Sequence, residues 1–334
     1  MFQSQLYQGP LKKNLGLIFL GIFTFTLGFF FSQSHLSATE VDNITPRLTH
    51  PHQKDALEEL NRITNEYLQQ CLDSVNSAQN YAGAEKLPTL QIYNICHGIL
   101  GSRGPWAKFE VFLNQTDQIE TVFLSKSESI YKYFNFFDSF ALKMAHLGNT
   151  MRIGQFDIGT DKVGHFIDQG YQYFTKNYVQ KEGMMSAFIG GHFQEKTYYG
   201  EMSTGIFSYG DMNANFRGMT FWAELFKNEF NSELNFTPYF IFNEQNHQWE
   251  LNPNRTFNWI TYFDAAVDEG INCSSYRNEG IQKKIDFRLQ ELSEQYGQVV
   301  KCPMIESECK NLGLKIQRDY PEYVEFLVTP VCRG

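Results

Sequence analysis

The sequence predicts a mainly α protein, a multi-helix globular domain with a minor β-hairpin and a disulfide-bearing carboxy-terminal part. Three observations carry this expectation. Apolar residues recur at three- and four-residue steps over several long stretches, as one buried helix face requires. A single stretch near residue 240 alternates around a polar turn, and four of the six cysteines lie from Cys273 onward. With 334 residues, 42% apolar and 19% charged, the chain has ample material for a core and excludes global disorder. A net charge of −9 without any basic run excludes nucleic acid as a partner, because phosphate binding needs concentrated lysine and arginine.

Residues 15–31, LGLIFLGIFTFTLGFFF, hold no charge and no proline; Lys12 and Lys13 precede them and no lysine or arginine follows until Arg47. Positive charge held on the cytoplasmic side directs the rest of the chain outward. Residues 1–38 are therefore expected to be a signal peptide or signal anchor, 39–51 a polar tether, and 52–334 a single exported domain. The location implied is periplasmic or extracytoplasmic, with membrane attachment through 15–31 if that segment stays uncleaved. All six cysteines (Cys71, Cys96, Cys273, Cys302, Cys309, Cys332) follow this run, and an even count in an exported chain suggests up to three disulfides of open pairing.

Within the domain, Leu57, Leu60, Ile63, Tyr67, Leu68 and Cys71 mark a helix over 52–76, and a shorter one is expected over 90–99. Residues 108–124 are ambiguous between strand and helix. Short helices are expected over 129–134 and 137–147, and three more over 161–178, 183–196 and 209–226, with Thr160 and Ser208 as caps of the first and third. A β-hairpin is expected over 238–251 and an amphipathic helix over 278–296, followed by an irregular tail.

The unusual polar residues concentrate in 161–218. Asp161 and His165 stand four apart, so on a helix they share a face; Asp211 and Asn215 repeat the spacing, and Gly218 and Gly164 leave room for another helix. Glu195 and Glu201 lie between. Imidazole and carboxylate together suit zinc, manganese or iron, so His165, Asp161 and Asp211 are candidate ligands of a divalent metal. The same residues also fit an acid–base site, with Asp161 orienting His165 and Glu195 or Glu201 as partner carboxylate. A third reading is a hydrogen-bonded network that locks helices together, with Lys162 turned to solvent. Asp268 and Glu269 are read chiefly as a solvated helix end, with the option of joining the cluster if the segment before Cys273 folds over it.

The pattern Asp161-Lys162-x-x-His165-Phe166, an acidic residue, then Ser208-x-x-Asp211-x-x-Ala214-Asn215-x-x-Gly218 resembles the signature of VanZ-like proteins and of a related group of predicted periplasmic lipoproteins of unknown function. It covers about 58 residues. Glu195 is the nearer match to the acidic position, with Glu201 as the other. The VanZ-like relatives carry these motifs on membrane-spanning helices, whereas Asp168, Gln169, Gln172 and Lys176 make 161–178 too polar to face lipid. The lipoprotein-like group carries a lipidated cysteine, which this chain lacks. The resemblance implies a shared helical motif and a cell-envelope location, and brings no assigned reaction. Two functions are accordingly expected. One is an envelope protein whose cluster is structural or binds a metal or small molecule, with an envelope component or small molecule as partner. The other is an envelope hydrolase acting on peptidoglycan or lipid head groups.

Overall fold

The computed structural model describes residues 40–82, 86–101, 107–144, 146–197 and 199–334. The run 15–31, expected to direct export, lies outside them. Among the described residues no helix is long and apolar enough to cross a membrane.

The stretch expected to be a tether is packed into the fold instead. Val41 and Ile44 are buried, and a short helix, α1 (Thr45–Thr49), follows. The Asp42 carboxylate explains how so polar a segment can be buried: it accepts from the backbone N–H groups of Ile44, Thr45 and Ile130 at 2.9–3.0 Å. Arg47 pairs with the buried carboxylates of Asp157 and Asp268.

Helix α2 (Leu57–Ala82) buries Leu60, Ile63, Leu68, Cys71, Leu72 and Val75 on one face, as the spacing predicts, and runs past residue 76. It packs on α3 (Thr89–Leu100), to which a Cys71–Cys96 disulfide joins it. The ambiguous stretch resolves into helix α4 (Lys108–Leu113) and an irregular segment that buries Ile119, Val122 and Leu124 and bridges Val122 to Thr150. Residues 129–134 are turns rather than a helix, and of 137–147 only α5 (Ala141–Met144) is helical. Local side chains compete with the helix there: Asn135 Oδ1 accepts from the N–H groups of Phe137 and Asp138, and Ser139 Oγ from that of Leu142.

A hairpin absent from the sequence-based expectation comes next, β1 (Thr150–Ile153) with β2 (Phe156–Gly159), turned by Gly154 at φ 60°. It delivers the chain directly into a continuous helix over 160–179, here α6. In α6, α-helical Thr160–Gly164 and Gly170–Phe174 alternate with π-helical His165–Gln169 and Thr175–Val179. Then follow α7 (Met184–Lys196), the two-residue strand β3 (Ile206–Phe207) and α8 (Tyr209–Ala223). Ser208 caps α8 as expected, its hydroxyl accepting from Asp211 N–H at 2.9 Å. Thr160 does not cap α6; its hydroxyl donates to Asn114 Oδ1 at 2.8 Å.

The expected hairpin forms as β4 (Phe240–Asn243) and β5 (Gln248–Leu251). Strand β6 (Ser275–Tyr276) pairs with β3, and α9 (Glu279–Tyr296) starts at Asn278, whose Oδ1 accepts from Ile281 N–H. The tail is more regular than expected, with α10 (Glu306–Asp319) and a turn of helix, α11 (Val324–Leu327). Disulfides Cys273–Cys302 and Cys309–Cys332 fasten this part.

The packing of α6 on α8 positions the site. Gly170 and Gly218 bring the two backbones into contact: a Cβ on Gly218 would lie 2.9 Å from Gly170 Cα and collide with the Phe166 carbonyl. The Trp222 indole donates to the Ile167 carbonyl at 2.9 Å, inside the first π segment, where an i→i+4 partner is displaced.

Candidate functional site

The start of α6 is buried, so Lys162 has no route to water and its side chain is 0% exposed. The sequence-based option that it faces solvent is overturned. An unpaired buried ammonium would be prohibitive, and the fold surrounds this one with carboxylates: Nζ lies 2.8 Å from Asp161 Oδ2, 2.5 Å from Asp211 Oδ1 and 2.6 Å from Glu269 Oε1. Burial works against the charged form, but Asp161, Asp211, Glu269 and Glu40 outweigh it and hold Lys162 well above its ordinary range. Glu269 is thus no solvated helix end. It is buried, and the Ser208 hydroxyl also donates to it.

The expected Asp161–His165 pair does not form. Asp161 is taken by Lys162, through Nζ and through the backbone N–H at 2.8 Å. His165 reaches across to α8 instead. Its Nδ1 lies 3.0 Å from Asn215 Oδ1 and its Nε2 lies 3.2 Å from Asp211 Oδ2. Asp211 and Asn215 occupy one face of α8, one turn apart, so the two ends of one imidazole meet two successive turns of a neighbouring helix. The Tyr173 hydroxyl, beside the Asn215 amide, donates to Met212 Sδ at 3.7 Å. The His165 side chain keeps 14% of its surface exposed, which makes it the solvent-facing member of the cluster.

Glu195 completes the group. It is on the inner face of α7 with Ala187, Phe188 and Gly191, and is buried. One ligand atom each from His165, Glu195 and Asp211 lie within 4.8 Å of one another. Of the candidate metal ligands, therefore, His165 and Asp211 converge, Asp161 does not join them, and Glu195 takes the third place. Glu201 is elsewhere: it pairs with Lys196 at the surface. His192 packs against Phe207 and Phe326.

Two further carboxylates surround the cluster. Glu110, on α4, lies against Gly164, where a Cβ would collide with it, and Glu40 is within electrostatic reach of Lys162, Asp211 and Glu269. Glu110 stands inside the apolar run KFEVFL, which is a readable signal of a buried acid; Glu40 has no such signal. Burial first, then repulsion from Asp211 and its neighbours, pushes the carboxyls of Glu195, Glu40 and Glu110 well above the usual range. Asp211 goes the other way. Burial pushes it up, but the charges of His165 and Lys162 together outweigh burial and hold it below the ordinary range.

The fold and the site define a disulfide-bridged, mainly α protein built around a buried lysine–carboxylate cluster that meets solvent at a histidine. Compared with protein families, curated proteins and solved structures, the chain shows no match.

Proposed function

We propose that this is an exported cell-envelope protein that binds a divalent transition-metal ion through His165, Glu195 and Asp211. The observation that carries the proposal is the environment of the His165 ring. Both of its nitrogens face oxygen acceptors, Asn215 Oδ1 at Nδ1 and Asp211 Oδ2 at Nε2. A neutral imidazole has one N–H, so once Nδ1–H donates to Asn215 a lone pair at Nε2 faces a carboxylate. A second ring proton or a cation between Nε2 and Asp211 relieves that contact, as does a turned Asn215 amide that donates to Nδ1 and leaves Nε2–H to Asp211.

The spacing supports the cation. Ligand atoms about 2.0–2.2 Å from a tetrahedral zinc stand roughly 3.3–3.6 Å apart, close to the 3.2 Å between Nε2 and Oδ2. One imidazole and two carboxylates form a donor set that zinc, manganese and iron accept. Asn215 then has the supporting role that metal-bound histidines need, fixing the tautomer and ring orientation from behind. Export is supported by the 15–31 run and by three disulfides, which persist in oxidising compartments. The VanZ-like resemblance of 161–218 supports a periplasmic place in the envelope.

A hydrolase is the second reading, favoured by a specific feature: three protein ligands leave a fourth position on the ion, and the exposed edge of His165 puts that position on the solvent side. His165, Glu195 and Asp211 would hold the ion, which would supply Lewis acidity and an acidified water for hydrolysis of a peptide or phosphoester bond in the envelope.

The test is equilibrium dialysis of the purified exported protein against zinc, with elemental analysis. One equivalent per chain is expected, together with a fall of about 100-fold or more in affinity for His165→Ala and for Glu195→Gln. A wild type that takes up no zinc, manganese or iron, and that His165→Ala merely destabilises, ends the proposal in favour of a structural network.

A further inference from the structure

Helix α7 has two faces. The inner one carries Glu195; the outer one presents Met185, Ile189 and Phe193 at successive four-residue steps, 39%, 57% and 54% exposed. Apolar side chains in water at this spacing form a stripe, and the stripe continues beyond the helix. The loop after α7 exposes Met202, and the segment before α5 exposes Phe137 and Phe140, Phe137 being 87% exposed. The two segments are joined. Arg277 donates to the carbonyls of Phe137 and Asp138 from one nitrogen and to those of Glu201 and Met202 from the other, at 2.6–3.4 Å. Ala141 N–H donates to the Ser203 carbonyl at 3.2 Å. Met202, Phe137 and Phe140 thus stand on segments held together, and with the α7 stripe they make a set of exposed apolar side chains of the kind that marks an interaction surface.

The position of the amino-terminal segment says what covers it. Glu40, the first described residue, is buried, its carboxyl beside Thr204, two residues from Met202. Only residues 32–39 separate it from the apolar run 15–31. Eight residues span at most about 26–29 Å, so a bilayer entered by 15–31 stands within that distance of Glu40.

We infer that Met185, Ile189, Phe193, Met202, Phe137 and Phe140 form a membrane-docking face that lies on the surface of the bilayer holding residues 15–31. Aromatic and methionine side chains sit at the head-group boundary, as in interfacial proteins that lie on a membrane without crossing it. The inference rests on the reading of 15–31 as an uncleaved export anchor, and not on the metal site.

The experiment uses the full chain reconstituted into vesicles of phosphatidylethanolamine and phosphatidylglycerol, with peroxide oxidation of methionine as the readout, because sulfoxide formation follows exposure. Met185 and Met202 report on the face; Met151 and Met212, fully buried, report on the integrity of the fold. In the wild type, Met185 and Met202 are expected to oxidise about tenfold more slowly than in an I189Q/F193Q/F137Q variant that still floats with the vesicles. All three substituted side chains are exposed, so Met151 and Met212 are to stay unreactive in both proteins. Equal oxidation in wild type and variant, with both floating, overturns the docking face and leaves the anchor standing. A wild type that fails to float overturns both. Protection that rises with protein concentration at fixed lipid assigns the face to a second copy of the chain and also overturns the inference.

Discussion

Lys162→Met removes the ammonium and keeps most of the volume, which isolates the charge. Nζ contacts three carboxylates at 2.5–2.8 Å. At an effective dielectric of about 20, each contact is worth roughly 6 kcal/mol of Coulomb attraction, most of which offsets the desolvation of the four groups. The net loss on breaking a buried pair is about 3–5 kcal/mol, and with three partners left uncompensated the upper end applies. That is a large part of a typical stability of about 5–15 kcal/mol. The sign of the pH effect follows from the carboxylates. Without Lys162, the folded-state values of Asp211 and Glu269, which its charge holds down, rise above their unfolded values. Their contribution is then fully present below about pH 4 and is lost as pH rises through the shifted values. Urea unfolding at pH 4.5 and pH 7 reads this: the deficit of the variant should be small at the lower pH and approach about 5 kcal/mol at the higher. An equal deficit at both values would mean that lost packing, not stranded charge, is the cause, and the account of the cluster would be wrong.

Gly218→Ala forces a Cβ into backbone on the facing helix, which cannot move aside as a side chain can; a loss of about 2–4 kcal/mol in chemical unfolding and a weakened metal site are expected together. Asn215→Leu leaves His165 Nδ1 without its acceptor, and zinc affinity in dialysis should fall by about 10- to 100-fold while the fold persists. Glu195→Gln separates the roles of that residue. Its carboxyl is shifted upward, so in the metal-free protein the stability it contributes is present below about pH 4.5 and is lost as pH rises through the shifted value. The amide variant should therefore match or exceed the metal-free wild type in stability at pH 8 by urea unfolding, yet lose zinc binding. Because a ligand must shed its proton, zinc affinity of the wild type should rise with pH over the same window, and a pH-independent affinity would remove Glu195 from the ligand set.

The parts of this molecule set by local periodicity were readable from the sequence. Helix α2, the hairpin β4–β5 and the three helices over 160–223 follow from apolar spacing and capping residues that act within a few positions. Hairpin β1–β2 was legible in principle, since Gly154-Gln155 sits between alternating apolar residues, but glycine without a following asparagine or aspartate is a weaker turn signal. Segment 40–49 was opaque because its burial depends on partners more than 80 residues away, such as Ile130 for Asp42 and Asp157 for Arg47. The site divides the same way. Asp211 with Asn215 could be placed on one helix face from spacing. The pairing of His165 with them, and the surrender of Asp161 to Lys162, depend on how closely two glycines let α6 and α8 approach. Glu269 looked solvated because nothing nearby in sequence announces that Lys162 waits for it.

Charge decides between a cluster that only holds helices together and one that holds an ion. Helix α6 is already fixed to α8 by the Gly170–Gly218 contact and by the Trp222 indole, neither of which needs an ionisable group. Into that joint the chain places Asp161, Asp211 and Glu269 against one lysine, with Glu40, Glu110 and Glu195 close by, their carboxyls pushed upward by burial. Six carboxyl groups around one ammonium exceed what interhelical hydrogen bonding calls for, since isosteric apolar residues would pack the joint at no electrostatic cost. A dication at His165, Glu195 and Asp211 adds two positive charges as Glu195 sheds its proton, offsets part of this acid excess, and replaces the contact between Nε2 and the Asp211 carboxylate by two coordinate bonds. Protons and metal thus compete for the same oxygens. Acidification should empty the site while the fold survives, and the pH at which metal leaves should track the carboxyl of Glu195 rather than global unfolding.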